Sequence, residues 1–290
     1  MTQPLPDPAS PTTYSAPPIA RVRNVTKTYA SAHTSVTALQ DVDLDVAPAQ
    51  MTAIMGPSGS GKSTLMHIMA GLDTPTSGRV LIGDREISAL DDDELTKLRR
   101  RKIGFVFQAF NLISTLTVID NILLPFELDD RKPTTQEREW VDHLVARLGI
   151  DHRRDHRPNE ISGGQQQRVA IARALATRPD VLFADEPTGN LDSRSGREVM
   201  RIMSEAVRDL GQSIVLVTHD PLVAASAGRV VFLADGRPVT ELAGTFRAEE
   251  VAQTMLDLES DAALDSESDV ETGTAHGSHV VTSATEVEAP

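Results

Sequence analysis

Nine residues, Gly56-Pro57-Ser58-Gly59-Ser60-Gly61-Lys62-Ser63-Thr64, constrain this chain more than any other stretch. They follow the pattern G-x-x-x-x-G-K-[ST], with Gly56, Gly61, Lys62 and Ser63 at the fixed positions. The flanks provide the setting such a loop requires. Residues 51–55 form a short apolar run with the character of a buried strand, and residues 64–70 read as a buried helix ending near Gly71. The glycines let successive backbone N–H groups turn inward around a phosphate, and the helix start adds the positive end of its dipole. Lys62 is spaced to reach β- and γ-phosphates, and the Ser63 hydroxyl to bind Mg²⁺. A plain glycine turn before a core helix needs neither the lysine nor the paired hydroxyls. The stretch therefore implies binding of a nucleoside triphosphate.

Composition narrows the partners. The 290 residues are 40% hydrophobic, enough for a substantial core in one or two domains, while 3% aromatic leaves little for base-stacking platforms. The net charge of −14 is unevenly placed: residues 246–290 hold eleven carboxylates and one cation, leaving −4 for everything before them. Without a cationic excess, nucleic acid is not expected as a partner. The absence of cysteine excludes disulfides and thiol chemistry. No apolar run approaches the roughly 20 residues of a membrane-spanning helix, and the start of the chain lacks the regions of a signal peptide. The expectation is a soluble, intracellular chain.

Residues 1–18, rich in Pro, Ser and Thr, read as a disordered leader, and residues 246–290 as a disordered acidic tail. Residues 19–29 and 36–46 alternate apolar with polar, predicting antiparallel strands around a loop at 30–35, and 78–87 predicts a strand pair turning at Gly83-Asp84. A largely helical insertion is expected over about 91–160, with acids at 91–94 and bases at 97–102 matching a helix dipole. Inside it, Ile103-Gly104-Phe105-Val106-Phe107-Gln108 reads as a strand ending in glutamine, and 136–148 as an amphipathic helix carrying Trp140. His152 and His156 have the i, i+4 spacing of metal ligands. They stand among Arg153, Arg154 and Arg157 without an acidic or thiol partner at a fixed offset, and read as a solvated loop.

Four further places carry chemistry. Ser162 and Gln165 make a capping box, but the box does not account for Gly163-Gly164, which suit close approach of a second phosphate contact to bare N–H groups. The apolar run Val181-Leu182-Phe183-Ala184 ends in Asp185-Glu186. Two carboxylates at the end of a core strand are costly without a task; Asp185 suits the Mg²⁺ shell and Glu186 the polarising of a water. Residues 214–217 repeat the arrangement and present His219, which beside the other motifs reads as a γ-phosphate contact. Gln108 is either an ordinary strand-end polar residue or, at the edge of a phosphate site, a Mg²⁺ ligand or γ-phosphate sensor. Tyr29, from position alone, is a strand residue covering the sheet.

In order along the chain, these motifs resemble the nucleotide-binding subunit of ATP-binding cassette (ABC) transporters, over roughly residues 19–242 of a domain at 19–245. The resemblance implies an α/β fold, a P-loop NTPase (RecA-like) core with an antiparallel β subdomain and an inserted α-helical subdomain. It also implies that Tyr29 stacks on adenine and that residues 56–64 hold the phosphates. Gln108 is then the Q-loop glutamine, and Ser162, Gly163, Gly164 and Gln165 the signature. Asp185 and Glu186 are the metal-binding and catalytic carboxylates, Gly189-Asn190-Leu191-Asp192 the D-loop and His219 the switch histidine. ATP and Mg²⁺ are implied, together with a head-to-tail homodimer that sandwiches two ATP molecules. So is a partner, an integral-membrane permease on another chain, which would hold the subunit on the cytoplasmic face of the cell membrane.

Residues 184–192, 104–112 and 162–168 are similar to the macrolide-exporter, lipoprotein-releasing and cell-division branch, associated with mechanotransmission. Two departures are visible: Ile161 in place of the usual leucine, and Ala49-Gln50 in place of Gly-Glu. The alternatives are an importer-type ATPase subunit, a soluble ABC ATPase acting without a permease, and a scaffold that binds ATP without hydrolysing it. Intact Glu186 and His219 count against the scaffold.

Overall fold

The computed structural model describes residues 16–31 and 34–272, with side chains to residue 260. The expectations for residues 1–15 and 273–290 lie outside the described residues. Strands β1 (Ala20–Ala30) and β2 (Ser35–Val46) pair antiparallel, β3 (Met51–Met55) leaves for a second sheet, and β4 (Ser77–Ile82) with β5 (Arg85–Glu86) returns to β1. The first sheet has the order β2-β1-β4-β5. The second comprises β3, β6 (Ile103–Val106), β7 (Val181–Asp185), β8 (Ser213–Val217), β9 (Arg229–Ala234) and β10 (Arg237–Ala243), in the order β10-β9-β3-β8-β7-β6. All its pairings are parallel except β10 with β9. Every residue of β3 and β8 is buried, which is why both read as unbroken apolar runs: a parallel strand is covered on both faces.

Helices α1 (Lys62–Met69), α2 (Asp92–Lys102), α3 (Val118–Leu128), α4 (Thr135–Arg147), α5 (Gly163–Leu175), α6 (Ser193–Leu210), α7 (Pro221–Ala224) and α8 (Ala248–Thr272) complete the fold. The pleat sends alternate side chains of the second sheet into two cores. Ile54, Phe183, Val215 and Leu233 join the layer under α1 and the antiparallel sheet. Ala53, Met55, Leu182, Leu216 and Phe232 join the layer that holds α3 to α6. Burying each large side chain contributes about 1.5–3 kcal/mol. Local signals set the helix ends. Asp91 caps α2 by accepting from Glu94 N–H at 2.8 Å, and a Thr134/Glu137 capping box starts α4 one residue before the predicted position.

Two expectations need correction. The helical insertion at about 91–160 is divided, because β6 is an edge strand of the parallel sheet, paired with β7; α2 precedes it and α3 and α4 follow. The acidic stretch from 246 is not disordered throughout, since residues Ala248–Thr272 form α8. Val251, Met255 and Leu258 stand at helical spacing; Val251 is fully buried and the other two pack against the core. Acidic composition masked that apolar stripe.

Candidate active site

Four loops leave the carboxyl ends of β3, β8, β7 and β6, which are consecutive neighbours in the sheet. Parallel strands place those ends on one rim, where open α/β sheets bind ligands. Residues 56–64 follow β3; Thr218 and His219 follow β8; Asp185 ends β7 with Glu186 next; Gln108 lies two residues beyond β6.

The phosphate loop is held by backbone that only glycine fits. Gly56 has φ +151, and a Cβ there would collide with the Leu233 carbonyl of β9; Gly61, at φ +96, is the N-cap of α1, and a Cβ would strike the Ala38 carbonyl of β2. With glycine at its cap, α1 has no side-chain cap, so its first N–H groups are left for a ligand. Lys62 Nζ folds across its own loop, donating to the carbonyls of Gly56 (2.9 Å) and Pro57 (2.7 Å). Burial lowers the Lys62 pKa, with Glu186 and Asp185 opposing. Ser60 is buried and its Oγ lacks a hydrogen-bond partner, an orphaned polar atom inside the loop.

Asp185 is half-buried, and among the described residues no hydrogen bond reaches its carboxylate. Burial pushes its pKa up; His67 opposes, Glu186 adds, and Lys62 opposes. An under-partnered carboxylate beside a lysine suits Mg²⁺, which is commonly held by one or two carboxylates plus phosphate oxygens. No group of three His, Asp or Glu among the described residues forms an all-protein cage. The residues present thus fit a metal that arrives with a phosphorylated ligand. Glu186 adopts φ +45, unusual for a residue with a side chain, and its N–H donates to Val217 O at 2.9 Å. Its Oε1 accepts from His219 Nδ1 (2.7 Å) and His219 N–H (3.1 Å), while the Thr218 hydroxyl donates to Oε2 at 3.4 Å. The His219 side chain is 75% exposed and that of Glu186 only 18%.

Gln108 packs on the D-loop stretch: a Cβ on Gly189 would lie 2.6 Å from its Nε2, and Asn190 Nδ2 donates to its carbonyl at 2.9 Å. The capping box at α5 is present, with Ser162 N–H donating to Gln165 Oε1 at 3.0 Å and Gln165 N–H to Ser162 Oγ at 3.4 Å. Gly163 faces Phe110 and Leu191, and Gly164 faces Ser195. Among the described residues, nothing joins Ser162, Gly163, Gly164 or Gln165 to the phosphate loop. One chain thus brings the loop, Asp185, Glu186 and His219 onto one rim. Tyr29 does not cover the sheet; it is 46% exposed at the end of β1, its hydroxyl bonded to Asp73 Oδ2 at 2.7 Å. His156 Nε2 lies 2.9 Å from Arg153 Nη1, a guanidinium where a metal would need a free lone pair.

Sequence reasoning missed three residues here. Thr218 and Gln167 are fully buried polar groups, Thr218 just past an apolar run and Gln167 inside a polar one, so neither stands out in the sequence; Gln167 Nε2 donates to Pro187 O at 2.6 Å, tying α5 to the segment after Glu186. Asp73 has no sequence signal.

Known proteins agree with this geometry. The ABC transporter family model matches residues 39–189. The macrolide export ATP-binding/permease protein MacB of Rhodopseudomonas palustris (strain HaA2) is 50% identical over 220 residues, 76% of this chain but 33% of that protein. The chain thus spans about a third of the length of its MacB relatives. The ABC transporter ATP-binding protein MJ0796 of Methanocaldococcus jannaschii is 46% identical over 219 residues, 74% of this chain and 93% of that one. The dimeric structure of the MJ0796 cassette superposes with a TM-score of 0.70 at 44% identity, covering 77% of this chain and 98% of that chain. A second MJ0796 structure, with the same score and coverage, is a post-hydrolysis state bound to ADP and Pi. With its phosphate loop, two carboxylates and histidine on this rim, the chain belongs to the ABC transporter family, as an ATP-binding cassette matching the macrolide-exporter, lipoprotein-releasing and cell-division branch.

Proposed function

We propose that two copies of this cassette close head-to-tail on two ATP molecules with Mg²⁺, and that hydrolysis drives a membrane permease on another chain, for export, lipoprotein release or mechanotransmission. One observation carries the reading. The rim gathers a lysine, two carboxylates and a histidine around a phosphate loop, while among the described residues the signature helix start has no hydrogen bond to that loop, and its capping box leaves the Gly163 and Gly164 N–H groups for a second copy. The dimeric MJ0796 structures support that arrangement.

Lys62 exchanges the carbonyls of Gly56 and Pro57 for phosphate oxygens. Ser63, Asp185 and Gln108 hold the metal, which supplies charge neutralisation at the phosphates. Glu186, held by Thr218 and His219, orients and polarises the attacking water; His219, mostly exposed, swings to the γ-phosphate when the second copy closes. Tyr29 stacks on the base. The permease contact is a groove of about 340 Å³ between α2, β6, α3 and α5, lined by Arg99, Phe107, Leu124, Leu128 and Arg173. It adjoins the Gln108 segment: Arg173 donates to the carbonyls of Phe110 (2.9 Å) and Asn111 (2.6 Å), so a helix seated there presses on the segment leading from Gln108.

The test is a tagged Glu186→Gln chain expressed in its native host, with membranes solubilised in ATP. Co-purification of a permease with a large external domain supports the proposal. A many-spanning permease with a binding protein moves the chain to the importers, and soluble partners alone overturn the transporter reading.

A further inference from the structure

An exposed tyrosine at a strand end ordinarily samples several rotamers, and an aromatic ring that must be ordered before it can stack gives up part of its binding energy. Tyr29 is instead held from two sides. Its hydroxyl donates to Asp73 Oδ2 at 2.7 Å. Lys27 Nζ stands over its ring, 4.7 Å from the centroid, and is fixed there by Asp73 Oδ1 at 2.6 Å and Thr74 O at 2.8 Å. Asp73 is itself ordered: its Oδ1 accepts from Thr74 N–H at 2.7 Å, and its own N–H donates to His67 O of α1 at 3.3 Å. The carboxylate that holds the ring is therefore anchored to the helix that begins at Lys62. The phenol's pKa is raised, first by burial and next by the Asp73 bond, with the Thr64 hydroxyl opposing. The charges balance locally, since the Asp73 pKa is lowered against the pull of burial by its bonds to Lys27 and Tyr29.

We infer that Asp73 is a positioning residue for the nucleotide base: through its bond to Tyr29 and its ion pair with Lys27, it presents the tyrosine ring at a fixed reach from the phosphate loop. This rests on the reading of Tyr29 as the base-stacking residue. Asp73 touches no part of the nucleotide. Its effect appears only through the ring, and only for ligands that carry a base.

The experiment is equilibrium titration of the full chain with ATP and, separately, with inorganic tripolyphosphate, which occupies the phosphate loop without a base. Tyr29→Ala weakens ATP about tenfold or more, the worth of a base–aromatic stack, and leaves tripolyphosphate unchanged. Asp73→Ala weakens ATP roughly fivefold, the cost of ordering one freed side chain, and also leaves tripolyphosphate unchanged. Asp73→Asn, which keeps an acceptor for the Tyr29 hydroxyl, recovers most of the loss. The double variant Tyr29→Ala/Asp73→Ala binds ATP no more weakly than Tyr29→Ala alone. Equal loss for both ligands in Asp73→Ala, or additive loss in the double variant, makes Asp73 a structural residue and overturns the inference. Full ATP affinity in Asp73→Ala with weakened Tyr29→Ala also overturns it, whereas full affinity in Tyr29→Ala overturns the reading of Tyr29 beneath it.

Discussion

Replacing Gly189 by alanine tests whether Gln108 takes part in hydrolysis without touching Gln108 itself. The backbone at Gly189 lies outside the left-handed region, so alanine brings no φ strain and restricts the unfolded chain, which by itself stabilises by about 0.4–1 kcal/mol. The three atoms nearest the new methyl all belong to Gln108, at 2.6 Å for Nε2, 3.1 Å for Cδ and 3.3 Å for Cγ. Ordinary contact begins at about 3.5 Å, so the amide must retreat by roughly 0.9 Å while the rest of the rim stays in place. The net stability change is within about 1 kcal/mol, a shift in melting temperature of at most about 4 °C. A misplacement near 1 Å in a catalytic constellation costs up to about a hundredfold, so phosphate release at saturating ATP should fall about 10- to 100-fold. In a Gln108→Ala background the same methyl should cost nothing further. Unchanged turnover in Gly189→Ala would refute a role for Gln108 geometry. A large fall in melting temperature would show that the contact is structural.

Three other outcomes follow from the geometry. Lys62→Ala removes the cation that bridges Gly56 and Pro57, and ATP affinity measured by fluorescence titration should drop about tenfold or more; unchanged affinity would argue against the phosphate cradle. Val251→Ala opens a cavity where α8 meets the core, costing about 1.5–3 kcal/mol in urea unfolding. Wild-type stability would return residues 246 onward to the disordered tail read from composition. Arg131, bonded twice to Glu137 at 2.9 Å, holds that carboxyl at about 2 against an ordinary 4.5. A depressed carboxylate stabilises above its unfolded pKa and loses that contribution as pH falls through its folded one. Glu137→Gln should therefore flatten the acid limb of the stability curve between 4.5 and about 2, leaving a steeper limb as the disproof.

Legibility followed locality. Capping at Ser162 was readable because a cap is a contact three residues long, and the runs at 51–55, 181–184 and 214–217 were readable because buried parallel strands need no alternation. Composition misled at α8, where acids on the exposed face outweighed the stripe of Val251, Met255 and Leu258. Position misled at Tyr29, which reaches past the sheet to Asp73, 44 residues further along. The strand before Gln108 was visible, but its neighbours were not, so β6 was assigned to the helical insertion instead of the sheet edge.

By itself the sequence determined the chemistry on offer: a phosphate loop, a capped diglycine helix start, two carboxylates and a histidine at strand ends, and no membrane-spanning run. Tertiary structure decided which of these meet. The strand order β3-β8-β7-β6 is not the chain order, so only the folded sheet sets His219 against Glu186, Glu186 and Asp185 within reach of Lys62, and Gln108 against Gly189. Such pairings are made by strands far apart in sequence, and no local propensity encodes them.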